Sequence, residues 1–306
     1  MSEFVRINDV GPRDGLQNQA KVLTPQQRIQ LIHALVDAGL PSIEVGSFVS
    51  AKAVPAMAGA EDIVSSLNQA GVNKRAYLQS LVPNQKGYEL AKAAGAEAVL
   101  LVVCASETMN QKNVRMGIQD GLAQARDMIQ QAKADAIDVL ACIAVAWECP
   151  FEGKTDPKVV LDMAAQLCSY GAHELVIADT IGAATPKAVH SLMRQLKAQQ
   201  PDQLLACHFH DTRAMGLANV YAALEAGIRR FDASVGGLGG CPFAPGATGN
   251  IATEDVVMML QQMGLHTGID LTKLMAVGQL AGEMTGTATG GRAHQWRSLQ
   301  LQKSRL

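Results

Sequence analysis

Apolar residues along this chain follow two periods, and the two alternate from one end to the other. Short runs rich in Val, Ile, Leu and Ala stand at 5–10, 42–47, 75–81, 98–103, 138–146, 174–178, 204–210 and 231–235, each with the length and composition of a β-strand. Between them lie longer stretches in which apolar positions return every three or four residues, as at 26–38, 85–94, 117–133, 158–170, 187–199 and 216–226. That spacing gives a helix one apolar face. The boundaries carry their own signals. Thr24-Pro25-Gln26-Gln27 offers an N-cap, a proline at the first helical position and a capping-box Gln; Asp156-Pro157 and Thr185-Pro186 repeat the cap-then-proline device. Gly39, Gly71, Gly95, Gly171 and Gly227 stand where helices should stop. Eight strands with intervening helices and no Pro- or Ser-rich linker predict a (β/α)8 TIM barrel. A doubly wound open sheet is the competing arrangement, but the glycine fingerprint of a dinucleotide site after the first strand is missing. From about residue 251 the tail adds helical patterns at 253–263 and 272–283, read as extra C-terminal helices capping the barrel, so that residues 1–306 form a single catalytic domain.

Composition narrows the function. The 306 residues hold 26 Lys and Arg against 28 Asp and Glu, a balance that points away from nucleic acid and from membrane surfaces. The apolar share of 48% excludes a disordered chain, and no apolar run approaches the roughly 18 residues of a membrane helix. The first strand begins within a few residues of Met1, which leaves no room for a signal peptide. Six cysteines, at 104, 142, 149, 168, 207 and 241, show no CxxC spacing and read as reduced thiols. A cytoplasmic enzyme is the expectation. The final Ser304-Arg305-Leu306 is similar to a peroxisomal address, a match too short to carry weight.

In a TIM barrel the site is built from segments that follow strand ends, and the unusual polar residues collect there. The first strand leads into Gly11-Pro12-Arg13-Asp14-Gly15-Leu16-Gln17, the sixth into Asp179-Thr180, the seventh into His208-Phe209-His210-Asp211 and the eighth into a glycine-rich loop holding Cys241 and Asn250. Alternate side chains of a strand share a face. Ala206, His208 and His210 therefore point one way, and Leu205, Cys207 and Phe209 the other, toward the helices. Two imidazoles on one face make half of a metal site; the competing role for each is a hydrogen-bonded core histidine. Asp14 and the Asn250 amide could add oxygen ligands, a mixed set that suits Mg, Mn or a similar divalent ion. Arg13 reads either as half of a loop ion pair or as a fixed cation that stabilises an enolate or oxyanion. Glu44, in a strand that should be buried, is either paired with Arg13 or a lysine, or catalytic. Asp179 is either part of the site or an organiser of its own loop. The segment 235–250, with six glycines and two prolines, cannot form a helix or regular strand and suits a mobile lid, on which the Cys241 thiol could donate or accept a proton.

Read together, these stretches resemble the 3-hydroxy-3-methylglutaryl-CoA lyase family. The matching segments are VGPRDGLQN (10–18), IEVGSFVS (43–50), ASETMNQKN (105–113), CPFEGK (149–154), ADTIG (178–182), HFHDT (208–212), GLGGCPFAPGATGNIATED (237–255) and LHTGIDL (265–271). The resemblance implies Asp14, His208, His210 and Asn250 as ligands of one divalent metal, Mg or Mn. It implies Arg13 at the enolate, Cys241 as loop acid/base, and Glu44 and Asp179 supporting the site. Gln17, Thr180, Arg213 and Cys142 would stand against substrate, with Arg213 either pairing with a further carboxylate or pointing to solvent. The implied reaction is retro-Claisen cleavage of hydroxymethylglutaryl-CoA to acetyl-CoA and acetoacetate by a homodimer, with an acyl-CoA as the only partner. The chain departs from the family pattern in three places: Arg213-Ala214 where Tyr-Gly is usual, Cys142 where an aromatic residue is usual, and Ala183-Ala184 where Val-Gly is usual. These leave citramalyl-CoA, or a longer branched 3-hydroxyacyl-CoA, as the alternative substrate. A condensing enzyme should lack the Cys241 loop, and a non-catalytic barrel should have lost one of the ligands.

Overall fold

The computed structural model describes residues 3–240, 249–287 and 291–303. Eight parallel strands close into a barrel: β1 Arg6–Asp9, β2 Ser42–Ser47, β3 Tyr77–Leu81, β4 Ala98–Cys104, β5 Asp138–Ala144, β6 Glu174–Asp179, β7 Leu204–Phe209 and β8 Arg230–Ala233. Closure is made by β1 against β8, with Arg6 opposite Arg230 and Asp9 opposite Ala233. The eight expected strands are all present, with ends shifted by up to two residues. Period-2 alternation sorts their side chains. Val99, Leu101 and Val103 of β4, and Leu205, Cys207 and Phe209 of β7, pack outward against the helices, while Leu100, Cys142, Val176 and Ala206 meet inside the barrel.

The predicted helix starts are built as expected. Thr24 and Gln27 form a reciprocal capping box, and Asp156 and Thr185 each accept a bond from the first turn of their helix, with proline at its start. Gly39, Gly71, Gly95, Gly171 and Gly227 all adopt positive φ, the left-handed stop that other residues reach at a cost. Outside the stretches named from the sequence stand the helix Ala60–Gln69, which runs up to the expected stop at Gly71, the helix Glu107–Val114, and a two-stranded hairpin pairing Glu148–Cys149 with Gly153–Lys154. After β8 the chain forms helices Thr253–Gln262, Leu271–Thr285 and Arg292–Lys303. The second of these packs on helix Pro25–Asp37. The backbone of His266 pairs with Glu3 and Val5, so the tail returns to the start of the barrel. No helix among the described residues is long and apolar enough to cross a membrane.

Candidate active site

At the C-terminal ends of the strands lies a cavity of about 390 Å³, within the usual ~300–1,000 Å³ range of small-molecule sites. Its polar wall is set by the turn after β1. Gly15 N–H donates to the Val10 carbonyl at 3.1 Å, winding residues 11–15 so that Arg13 and Asp14 both reach the barrel axis. The buried Asp9 carboxylate fixes this turn: it accepts from Gly11 N–H at 2.8 Å and from the Thr253 hydroxyl at 2.7 Å. Burial nevertheless pushes Asp9 up to about 6.

Arg13 grips Glu44 of β2 through two bonds, Nε to Oε1 at 2.7 Å and Nη2 to Oε2 at 2.8 Å, and reaches Asp14 with Nη1 at 2.6 Å. Of the two readings open for Glu44, its geometry is that of a paired carboxylate, fully buried beneath Arg13. Burial works against the Arg13 cation, but the two carboxylates more than offset it and hold the guanidinium above its ordinary range. Burial also works against the Asp14 anion. There the pull of Arg13, followed by His208 and His210, wins and keeps its carboxyl well below the usual carboxylate range.

Ligand atoms of Asp14, His208 and His210 all lie within 4.8 Å of one another, and the two imidazole rings sit 5.2 Å apart. Both histidines line the cavity, as the alternation along β7 requires. Residues 249–252 explain how Asn250 joins them. This segment returns between the tops of β7 and β8: Ile251 N–H donates to Phe209, Ser234 N–H donates to Ile251, and His210 bridges Asn250. The Asn250 amide nitrogen donates to Asp14 Oδ2 at 2.8 Å and to the Leu238 carbonyl at 3.2 Å, while its buried side-chain oxygen accepts no hydrogen bond. Two imidazoles, a carboxylate held ionised and a free amide oxygen form a donor set that fits a divalent cation taking nitrogen and oxygen ligands.

Sequence reasoning missed Asp232. Its Oδ2 stands 3.1 Å from His208 Nδ1, and its Oδ1 accepts from the Asn8 amide at 2.8 Å. Burial would lower the His208 pKa, but the bond to Asp232 raises it. With Nδ1 so engaged, the ring presents Nε2 to the cavity, the arrangement typical of metal-binding histidines. The available signal was an acid flanked by Phe231 and Ala233 in a buried strand. Glu254 was missed too; both of its oxygens accept from Gly236 N–H, at 2.9 and 3.0 Å.

Asp179 takes the loop-organising role: it accepts from Ala183 and Ala184 N–H at 2.8 and 3.0 Å, and burial pushes it up to about 6. Thr180 accepts from Val145 N–H at 2.8 Å and, like Gln17 and Cys142, lines the cavity. Arg213, expected against substrate, does not. It is half-exposed and pairs with Glu148 of the hairpin at 3.3 Å, because the turn after His210 carries it outward. The glycine-rich segment also differs from expectation at its start, where Val235–Gly237 winds into a short turn that Gly236 permits at φ 66°. A Cβ on Gly249 would collide with the Gly237 carbonyl, so the close approach that seats Asn250 needs glycine. Cys241 and Ser304-Arg305-Leu306 lie outside the described residues.

One family model, described as HMGL-like, matches this chain over residues 4–281. The chain belongs to the HMGL-like family. Among relatives, the (R)-citramalyl-CoA lyase of Chloroflexus aurantiacus is 44% identical over 281 residues, 90% of this chain and 89% of that protein. A solved hydroxymethylglutaryl-CoA lyase from Pseudomonas aeruginosa superposes with a TM-score of 0.93 at 39% identity, covering 98% of this chain and 99% of the other. A hydroxymethylglutaryl-CoA lyase from Acinetobacter baumannii, solved with coenzyme A and 3-methylmalate, gives 0.90 at 37% identity, covering 95% and 94%. The HMGL-like fold thus runs through nearly the whole chain, and the family resemblance drawn from the motifs holds.

Proposed function

We propose that this chain is a divalent-metal-dependent carbon–carbon lyase that cleaves 3-hydroxy-3-methylglutaryl-CoA to acetyl-CoA and acetoacetate. The observation that carries the reading is the Asp14, His208 and His210 cluster beside Arg13 on one wall of a 390 Å³ cavity. Asp14, His208, His210 and Asn250 would hold Mg²⁺ or Mn²⁺, which when bound supplies Lewis acidity toward the substrate hydroxyl. A base removes the hydroxyl proton, the bond between the carbinol carbon and the thioester α-carbon breaks, and a ketone forms on one side. The electron pair passes to the acetyl-CoA enolate, and Arg13, kept in place by Glu44, stabilises its charge. Cys241 returns a proton to the enolate carbon. Glu44 and Asp179 support the site, and Gln17, Thr180 and Cys142 stand against the acyl group. The reading extends to a homodimer in the cytoplasm, consistent with the free thiols at 104, 142, 149, 168 and 207.

A second reading, cleavage of citramalyl-CoA, is favoured by the 44% identity to the Chloroflexus enzyme. Offering both esters with Mg²⁺ or Mn²⁺ and following acyl-CoA products by mass separates the two. Acetyl-CoA with acetoacetate supports the first reading and acetyl-CoA with pyruvate the second. Turnover that survives thorough chelation would sink the metal assignment.

A further inference from the structure

Arg28, in the first turn of helix Pro25–Asp37, is wholly buried. No carboxylate pairs with it among the described residues, and burial alone pulls it down to about 10, so it is still a cation at neutral pH. Its Nε makes no hydrogen bond. Stability gives little reason for such a residue. A cation buried without a countercharge is costly, and one in the first turn opposes the helix dipole.

The guanidinium lies against the outer side of β2. Its Nη2 donates to the Val45 carbonyl at 3.3 Å and its Nη1 to the Ala58 carbonyl at 3.2 Å. A Cβ on Gly46 would stand 3.1 Å from Nη2. At this point β2 breaks its alternation. Glu44 is opposite Gln79 on β3 and Gly46 is opposite Ser80, which skips Val45 and makes a bulge. Below the bulge Ser42 and Glu44 face inward, onto Asn8 and Arg13, while Ile43 and Val45 pack in the outer core. Gly46 then faces outward as well, toward Arg28 and Ala60. Two outward residues in a row put Ser47 and Val49 on the cavity wall and return Phe48 to the outer core. An unbroken strand would instead turn Phe48 into the mouth. Bulges beside active sites re-aim side chains in this way.

We infer that Arg28 is a positioning residue: by holding the Val45 carbonyl it keeps the bulge, and through the bulge it keeps Glu44 in its two-bond grip on Arg13. Arg28 does not itself line the cavity. Its planar fork serves two carbonyls at once in fixed geometry. Those carbonyls stand at the two ends of the loop that leaves β2 and carries Val49, Ala53 and Val54 over the cavity, so strand end and loop are tied to one rigid point. The effect on rate rests on the lyase reading, in which Arg13 stabilises the enolate; the placement of Glu44 does not.

The test takes Arg28→Met, which keeps much of the bulk and removes the donors, and Gly46→Ala, which presses a methyl on the same guanidinium from the strand. With the ester that the parent chain cleaves, Arg28→Met should lower kcat by roughly 10–100-fold, the cost of a small misplacement passed to the reacting centre. KM should not change, the pattern of an interaction made only in the transition state. Gly46→Ala should give the same pattern to a smaller degree. Arg28→Met combined with Glu44→Gln should be no slower than Glu44→Gln alone, because the two act through one contact. A lower Tm with kcat unchanged, a raised KM at full kcat, or losses that multiply in the double variant overturns the inference. If Arg28→Met does not fold, Gly46→Ala decides by the same readouts. A crystal structure of either variant that keeps the bulge and both Glu44–Arg13 bonds overturns it as well, whatever the activity. A parent chain that cleaves none of the esters offered removes the lyase reading, and that crystal structure then decides the positioning role alone.

Discussion

At the N-terminal end of the barrel Arg230 meets Glu174 at 2.7 Å, Arg6 lies over the Tyr77 ring at 4.8 Å, and the Tyr77 hydroxyl donates to Asp138 at 2.9 Å. At the C-terminal end Arg13 meets Glu44 at 2.7 Å and Asp14 at 2.6 Å. Both ends thus hold arginines clasped by carboxylates inside the same strands. They differ in what is left over. The floor encloses about 10 Å³, room for one water at most, and its charges are spent on one another. The mouth encloses about 390 Å³, and there ligand atoms of Asp14, His208 and His210 gather within 4.8 Å of one another beside an Asn250 oxygen that accepts no hydrogen bond. Charged pairs in a barrel do not by themselves mark a site; a cluster of ligand atoms next to space does.

That contrast can be broken most directly by cutting into each end. Asp14→Ala should lower kcat by more than roughly 100-fold, because even an outer partner of a metal ligand is worth roughly 10–100-fold. Arg230→Met should leave kcat within a few-fold and cost about 1.5–3 kcal/mol of unfolding free energy, the value of hydrogen bonds to a charged group. Steady-state rates and chemical denaturation on both variants decide it, and a floor variant that loses activity while keeping its stability would erase the distinction. Asp232→Asn sharpens the mouth. It should weaken metal affinity by roughly 10–100-fold, read by metal titration, and an unchanged affinity means that His208 is oriented without it.

The smallest effect concerns the frame of the mouth. Glu254 is buried, and burial pushes its carboxyl up to about 8, against about 4.3 in an unfolded chain. The folded state therefore holds this proton more tightly. The stability it contributes is full below about pH 4.3 and is lost as pH rises through about 8. Glu254→Gln, which keeps an acceptor for Gly236, should show a shallower fall in Tm between pH 5 and pH 9. Parallel melting curves for the two proteins would remove Glu254 as the cause.

The barrel was legible because its signals are local. A capping box at Thr24 and left-handed glycines at strand approaches need only a few neighbouring residues. The inward aim of His208 and His210 followed from alternation alone. What stayed hidden depends on partners distant in sequence. Asp232 matters because His208 stands 3.1 Å away on the next strand, and Glu254 because Gly236 turns its N–H toward it. Both look, in sequence, like isolated acids. Glu44 could be placed against Arg13 only as one option, and the bidentate grip decided it. Arg213 stayed open between substrate and solvent because proximity to the His-x-His motif says nothing about where the following turn carries a side chain.

The bond between Asp14 and Asn250 joins points 236 positions apart along the chain. On a ribosome adding roughly 5–20 residues per second, Asp14 emerges early and then waits on the order of 10–50 s for Asn250 to be synthesised. β1 waits almost as long for β8, its partner at closure. A nascent chain truncated before residue 250 can hold most of the barrel and still lack the Asp14–Asn250 bond, so in biosynthesis this candidate site is among the last parts of the molecule to exist.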